Sequence, residues 1–142
     1  MSTFKILICG LPGTGKTTLA KAMVEKLKAK GKTVAWYNAD SIREAFNDWD
    51  FSPEGRIRQA TRMRDSADSS LTEYTICDFV APTDDIRNIF KADYVIWMDT
   101  EKTSPYEDTN KIFERPRFVN FIISTKDADF ISDLVMRSID LL

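Results

Sequence analysis

Two rhythms of apolar and polar positions alternate along the chain: short continuous apolar runs, and stripes that recur every third or fourth residue. Residues 4–9 form an Ile-rich run that stops at Gly10, as a buried parallel strand would. From Gly15 the spacing changes: Leu19, Met23 and Leu27 lie four apart and Gly31 ends the pattern, which predicts a helix. A second strand is predicted over 33–37, after which Asp40-Ser41 caps a short helix running through Phe46. Ser52-Pro53-Glu54 opens another helix, with Pro53 at its first position and Ile57, Ala60, Met63, Ala67 and Leu71 as its apolar stripe. Further strands are expected over 74–80, 94–98 and 118–123, and further helices over 82–90 and 128–141.

Strands that alternate with helices predict an α/β fold with a mainly parallel sheet. No repeat, low-complexity tract or Pro/Gly-rich linker interrupts the pattern, so residues 1–142 read as one domain. Residues 100–117 are polar, hold Pro105 and Pro116, and have no clear period. A loop of that length inside a compact domain is usually functional.

Composition narrows the chemistry. Apolar residues make up 43% and charged residues 30%, ordinary for a globular protein, and the net charge of −2 supplies no bulk attraction to nucleic acid. No apolar stretch has the length of a membrane span, and the first residues carry no secretion-signal pattern. Cys9 and Cys77 each sit in a strand-like run, so the expectation is two buried thiols in a cytoplasmic protein rather than a disulfide. Histidine is absent, which removes imidazole acid–base catalysis and His metal sites. Proton transfer must use carboxylates, Lys, Tyr or water.

Gly10-Leu11-Pro12-Gly13-Thr14-Gly15-Lys16-Thr17 matches G-x-x-x-x-G-K-[ST] in full, between a predicted strand and a predicted helix. The glycines let the backbone curl so that successive N–H groups face phosphate oxygens, and the following helix, with Thr18 in its first turn, adds the positive end of its dipole. Lys16 can reach the β- and γ-phosphates, and the Thr17 hydroxyl can ligand Mg²⁺. Mg-ATP is the expected ligand.

In parallel α/β sheets ligands bind beyond the carboxyl ends of the strands. Asp40, Asp78 and Asp99 fall there, each able to serve Mg²⁺ or an acceptor hydroxyl, or simply to cap a helix or face solvent from a loop. Asp78 ends Thr75-Ile76-Cys77-Asp78, a loose Walker B pattern. Arg43, Arg56, Arg58, Arg62 and Arg64 make a second dense region, readable as a solvated helical face or as guanidinium forks for an anionic acceptor. Trp36, Trp49 and Trp97 are aromatic candidates for the acceptor side; strand position favours core packing for Trp36 and Trp97, while Trp49 lies beside Phe51 in a polar loop.

Several segments together resemble the adenylylsulfate kinase family. Gly10–Thr17 with Thr18-Leu19-Ala20 begins the match, and Asn38-Ala39-Asp40-Ser41-Ile42-Arg43 resembles the family's D-G-D-N-V-R. Phe51-Ser52 with Arg56 resembles F-S-x-x-D-R, Phe79-Val80-Ala81-Pro82 resembles F-I-S-P, and Ser104-Pro105-Tyr106-Glu107 resembles a late P-Y-E. The resemblance implies a three-layer P-loop fold with a five-stranded sheet in the order 2-3-1-4-5 and a mobile lid, here shortened to about residues 100–117. It implies transfer of the ATP γ-phosphoryl group to the 3′-hydroxyl of adenylyl sulfate, with Lys16, Thr17 and Mg²⁺ neutralising developing charge. Asp40 takes the catalytic or Mg²⁺-linked carboxylate role, with Thr17 and Asp78 as further metal candidates. Arg43 and Arg56 would grip the phosphosulfate, Phe51 would stack on the adenine, and Val80 and Pro82 would shape the acceptor pocket. Asn38 and Gln59 stand where the family has Asp and Asn, Gly55 where it has Asp, and Ala81 where it has Ser. Another nucleotide or small anion as acceptor, or nucleotide binding without transfer, are the alternatives, and a homodimer is compatible with each.

Overall fold

A computed structural model describes residues 2–140; Leu141, at the end of the expected last helix, lies outside them. Five strands form one parallel sheet in the order β2-β3-β1-β4-β5: β1 Phe4–Cys9, β2 Val34–Asn38, β3 Tyr74–Asp78, β4 Tyr94–Met98 and β5 Phe121–Ile123. Helices α1 Lys16–Ala29, α2 Ala39–Phe46, α3 Pro53–Asp68, α4 Asp84–Phe90, α5 Glu107–Ile112 and α6 Ala128–Asp140 connect and cover them. The two-residue period of a strand sorts β1 onto both faces. Ile6 and Ile8 pack with Leu19, Met23 and Leu27 of α1 and with Val135 and Ile139 of α6, while Leu7 and Cys9 pack with Met63 of α3 and Phe90 of α4. The layered α/β architecture and the strand order expected from the resemblance are both present.

Boundaries differ where capping or exposure overrides the apolar pattern. Helix α2 is capped by Asn38, whose side chain accepts from the Ser41 N–H, so Asp40 lies inside the first turn instead of at the cap. Strand β3 stops at Asp78, and α4 starts at Asp84 with Thr83 as its cap, because Phe79-Val80-Ala81-Pro82 turns away at Ala81 with φ 44°. The stripe of α3 is shorter than its apolar residues suggested: Ile57 is half exposed, and Leu71, three residues past the helix end, is 99% exposed. Phe118 is exposed and precedes β5, which has only three residues. The polar 100–117 stretch contains α5, a helix too short for its period to stand out.

Candidate active site

The phosphate loop runs from the carboxyl end of β1 into α1. Gly10 has φ +148°, and a Cβ there would lie 2.7 Å from the Met98 carbonyl, so only glycine fits. Gly13 and Gly15 also have positive φ, and Gly15 forms the N-cap of α1 with no side chain closing the helix end. The unpaired N–H groups of that first turn, including those of Lys16, Thr17 and Thr18, are therefore free for an anion. Thr14 is buried and donates to the Leu11 carbonyl at 2.8 Å, and Thr100 donates to the Thr14 carbonyl at 2.7 Å, which fixes the loop from inside and from the segment after β4. Pro12 is half-buried at the loop's turn. Lys16 Nζ donates to Leu11 O at 2.8 Å, holding the ammonium over the cradle.

Register brings the next group together. Asn38 and Asp78 end neighbouring strands as paired residues, and both side chains meet Thr17 on α1. Thr17 Oγ1 donates to Asp78 Oδ1 at 3.0 Å, Asn38 Nδ2 donates to the same carboxylate oxygen at 2.9 Å, and Trp36 Nε1 donates to Oδ2 at 2.5 Å. Burial pushes the Asp78 carboxyl above its ordinary pKa, while these three donors pull it down. Asp40, by contrast, is exposed and makes no side-chain hydrogen bond among the described residues. Asp99 lies 3.8 Å from Lys102 Nζ, away from that cluster.

The arginines divide into two groups that sequence could not separate. Arg58 and Arg62 pair with Asp48, Arg58 also with Asp50, and Arg64 with Asp65. Arg43 and Arg56 form no ion pair among the described residues. Backbone carbonyls hold them instead: Arg43 Nη1 donates to Asp48 O and Asp50 O, and Arg56 Nε donates to Phe51 O. Both guanidinium groups flank one ring, that of Phe51, at 4.2 and 5.5 Å from its centroid. Desolvation lowers the pKa of each, against the attraction of Asp48 at Arg43 and of Asp108 at Arg56.

Gln59 is buried one turn along from Arg56 and donates to Ala39 O at the start of α2. Val80 O accepts from Gly10 N, and Pro82 O accepts from Glu114 N, so the F-V-A-P turn joins the phosphate loop to the segment after α5. Arg56 Nη2 donates to Thr109 Oγ1 of α5 at 3.2 Å, a second link from the 100–117 segment, here to α3. Two cavities flank the loop: one of about 90 Å³ lined by Gly15, Thr18, Ile123 and Thr125, and one of about 190 Å³ lined by Leu11, Trp97, Asp99, Phe113 and Arg115. Thr100, Thr109 and Thr125 are the site residues that sequence reasoning missed, and it favoured core packing for Trp36. Trp36 alone carried a signal, lying two residues before Asn38 and hence on its face of β2.

The adenylylsulphate kinase family model matches residues 2–108, the span that holds the cradle, the Asn38–Asp78 pair and the Arg43–Phe51–Arg56 cluster. The chain belongs to this family. Relatives include the cytidine diphosphoramidate kinase of Campylobacter jejuni, 39% identical over 57 residues, which are 40% of this chain and 34% of that one. An adenylyl-sulfate kinase of Bacillus licheniformis is 32% identical over 89 residues, 61% of this chain and 45% of that protein. The matched segments thus span under half the length of either relative. The Mycobacterium tuberculosis APS kinase CysC, solved with AMPPNP and APS, has the same fold, with a TM-score of 0.81 over 98% of each chain at 17% identity.

As a member of a P-loop kinase family, the chain carries its phosphate-loop motif at Gly10–Thr17. Among the described residues no cluster of three carboxylate, thiol or imidazole groups could hold a metal alone. The Thr17 hydroxyl and Asp78 carboxylate are hard oxygen donors, which fit a Mg²⁺ bound mostly through phosphates and water.

Lys16 also sets a pH dependence. Burial pulls its pKa from 10.5 down to about 8, against the attraction of Asp78. Phosphate binding favours the charged form, so below pH 8 the site is ready, and above it binding must take up a proton. ATP affinity is expected to fall by about tenfold for each pH unit above 8 until the bound-state pKa is reached. Calorimetry in buffers of different ionisation heat should register proton uptake near pH 9 and almost none at neutrality. A flat affinity across that range would show that Lys16 stays charged in the free protein.

Proposed function

We propose that this chain transfers the γ-phosphoryl group of Mg-ATP to the 3′-hydroxyl of adenylyl sulfate. The observation that carries the reading is that Arg43 and Arg56, which form no ion pair among the described residues, both lie against the Phe51 ring in a chain that has a complete phosphate loop. An acceptor with an aromatic base and a doubly anionic tail satisfies both features at once. Backbone N–H groups of residues 13–18 hold the triphosphate, and Lys16 bears on the β- and γ-phosphates. Thr17 and Asp78 would hold Mg²⁺, which supplies positive charge where negative charge builds during transfer.

Asp40, in the first turn of α2 and solvent-facing, orients the acceptor hydroxyl and receives its proton as the oxygen bonds to phosphorus and ADP leaves. Arg43 and Arg56 hold the phosphosulfate, while Phe51, Val80 and Pro82 form the acceptor wall, and Asn38 and Gln59 support it through their bonds to Ser41 N and Ala39 O on α2. The shortened lid is tied down through Pro82 and Arg56, and the cleft beside Gly15 and Thr18 would border the adenosine end of ATP.

A second reading has a specific basis. The 39% identity to a cytidine diphosphoramidate kinase favours a pyrimidine nucleotide whose terminal group is an amidate in place of a sulfate. ADP release from Mg-ATP, measured with adenylyl sulfate, cytidine diphosphoramidate and no acceptor, separates the two. Strong stimulation by adenylyl sulfate is the expected result. Stimulation by the cytidine compound alone would replace the acceptor, and none by either would leave nucleotide binding without transfer.

A further inference from the structure

Asn38 is bonded at both ends. Its Oδ1 accepts from Ser41 N at 3.1 Å and so caps α2, the helix that carries Asp40 and Arg43. Its Nδ2 gives one hydrogen to Asp78 Oδ1 at 2.9 Å and one to Thr17 Oγ1 at 3.1 Å. The amide orientation is forced, because a reversed amide would set a carbonyl against the Asp78 carboxylate and an NH₂ against the Ser41 N–H. Capping alone would not need this residue: Ser, Thr or Asp caps a helix about as well as Asn. The two amide hydrogens serve something else.

The Thr17 hydroxyl shows what that is. Its hydrogen goes to Asp78, one lone pair accepts from Asn38, and the second lone pair remains for a cation. Asp78, 2% exposed, receives Thr17, Asn38 and Trp36 and has no room for a second carboxylate beside it. An Asp at 38 would still cap α2 but would set two acceptors, both charged, about 3 Å apart across the strand ends.

We infer that Asn38 is a positioning residue that aims the free Thr17 lone pair at the nucleotide-bound Mg²⁺ and couples it to helix α2, as one half of an amide–carboxylate pair with Asp78. This rests on the Mg-ATP reading above and is independent of the acceptor. The pair acts as a unit, so its members are exchangeable. In Asn38→Asp two acceptors face each other, and in Asp78→Asn two NH₂ groups do, since Trp36 holds the amide oxygen of the new side chain. With both changes together, the amide at 78 takes the Trp36 bond and donates to the carboxylate at 38, which still accepts from Ser41 and now takes the Thr17 hydrogen in place of Asp78.

Binding of AMPPNP with and without Mg²⁺, by calorimetry, tests this together with the melting temperature of the metal- and nucleotide-free protein. Each single variant is expected to weaken Mg-AMPPNP binding by about tenfold and to lower the apo melting temperature, with recovery of both in the double variant. Asn38→Ser, which keeps the cap and loses the amide hydrogens, is expected to lose Mg²⁺-dependent affinity while melting close to the parent. Additive losses in the double variant, or parental Mg²⁺ dependence in Asn38→Ser, would overturn the proposal. Recovery without adenylyl sulfate turnover would sink only the acceptor assignment.

Discussion

Lys16→Ala is expected to lower the rate of phosphoryl transfer by about 10²–10³-fold while the protein stays folded. The ammonium is the single side-chain cation that the phosphate loop itself supplies, and it is held ready by its bond to Leu11 O. Its charge matters most when negative charge shifts to the leaving oxygen, so the loss falls mainly on kcat. Stability should hardly move, for two reasons. Leu11 O keeps its second donor, Thr14 Oγ1, after Lys16 is gone, so no buried carbonyl is orphaned. Removing a desolvated ammonium also removes the cost of keeping it charged. Steady-state kinetics beside a melting curve checks both halves. A variant that keeps a tenth or more of the parental kcat would mean that another cation carries the transferred charge, and Arg115 or Lys102, beside the larger cavity, would be the next to change.

Much of the fold and the cradle was legible in the sequence, because both are local. The phosphate loop is eight consecutive residues whose glycines and Lys-Thr pair leave one geometry open, and β1 and α1 are read from unbroken periods. Elsewhere the deciding contacts cross between elements. The arginine run offered five similar guanidinium groups. Only the folded loop of residues 47–52, which presents Asp48 and Asp50 to Arg58 and Arg62, leaves Arg43 and Arg56 without carboxylate partners. Trp36 reads as a core residue by its strand position, and it is half-buried in the core, yet its indole N–H reaches a carboxylate on the next strand. Asp40-Ser41 looked like a helix cap, but Asn38 won that place because its backbone still has the extended geometry of β2. Among the described residues no side chain hydrogen-bonds or pairs with Asp40, so any catalytic role it has must appear with substrates present.

The acceptor side depends on one steric fact, and Gly55→Ala is expected to expose it by destabilising the protein by about 3 kcal/mol. A Cβ at residue 55 would lie 2.1 Å from the Asp50 carbonyl oxygen and 2.6 Å from its Cγ. The backbone of residue 55 is helical, so the obstacle is contact with the loop and not its own conformation. Nor can the loop step aside cheaply. Asp50 O accepts from Arg43, Asp50 Oδ1 accepts from Ser52 N, and Asp50 Oδ2 pairs with Arg58 at 2.8 Å. Moving Asp50 would release the buried Arg43 and tilt the Phe51 ring that lies against it. A loss of that size should lower the melting temperature by roughly 10 °C for a domain of this length. The Michaelis constant for the acceptor should rise with little change in that for ATP, because residue 55 packs on the 47–52 loop that holds Arg43 and Phe51. The family pattern carries an aspartate where Gly55 stands, whereas in this chain Asp50 lies in the space that a side chain at residue 55 would need. Gly55→Asp should behave at least as badly as Gly55→Ala. If instead Gly55→Asp melted like the parent and bound adenylyl sulfate more tightly, the 47–52 loop would have to lift on binding, and the Arg43–Phe51 stack would be a resting arrangement that the acceptor replaces.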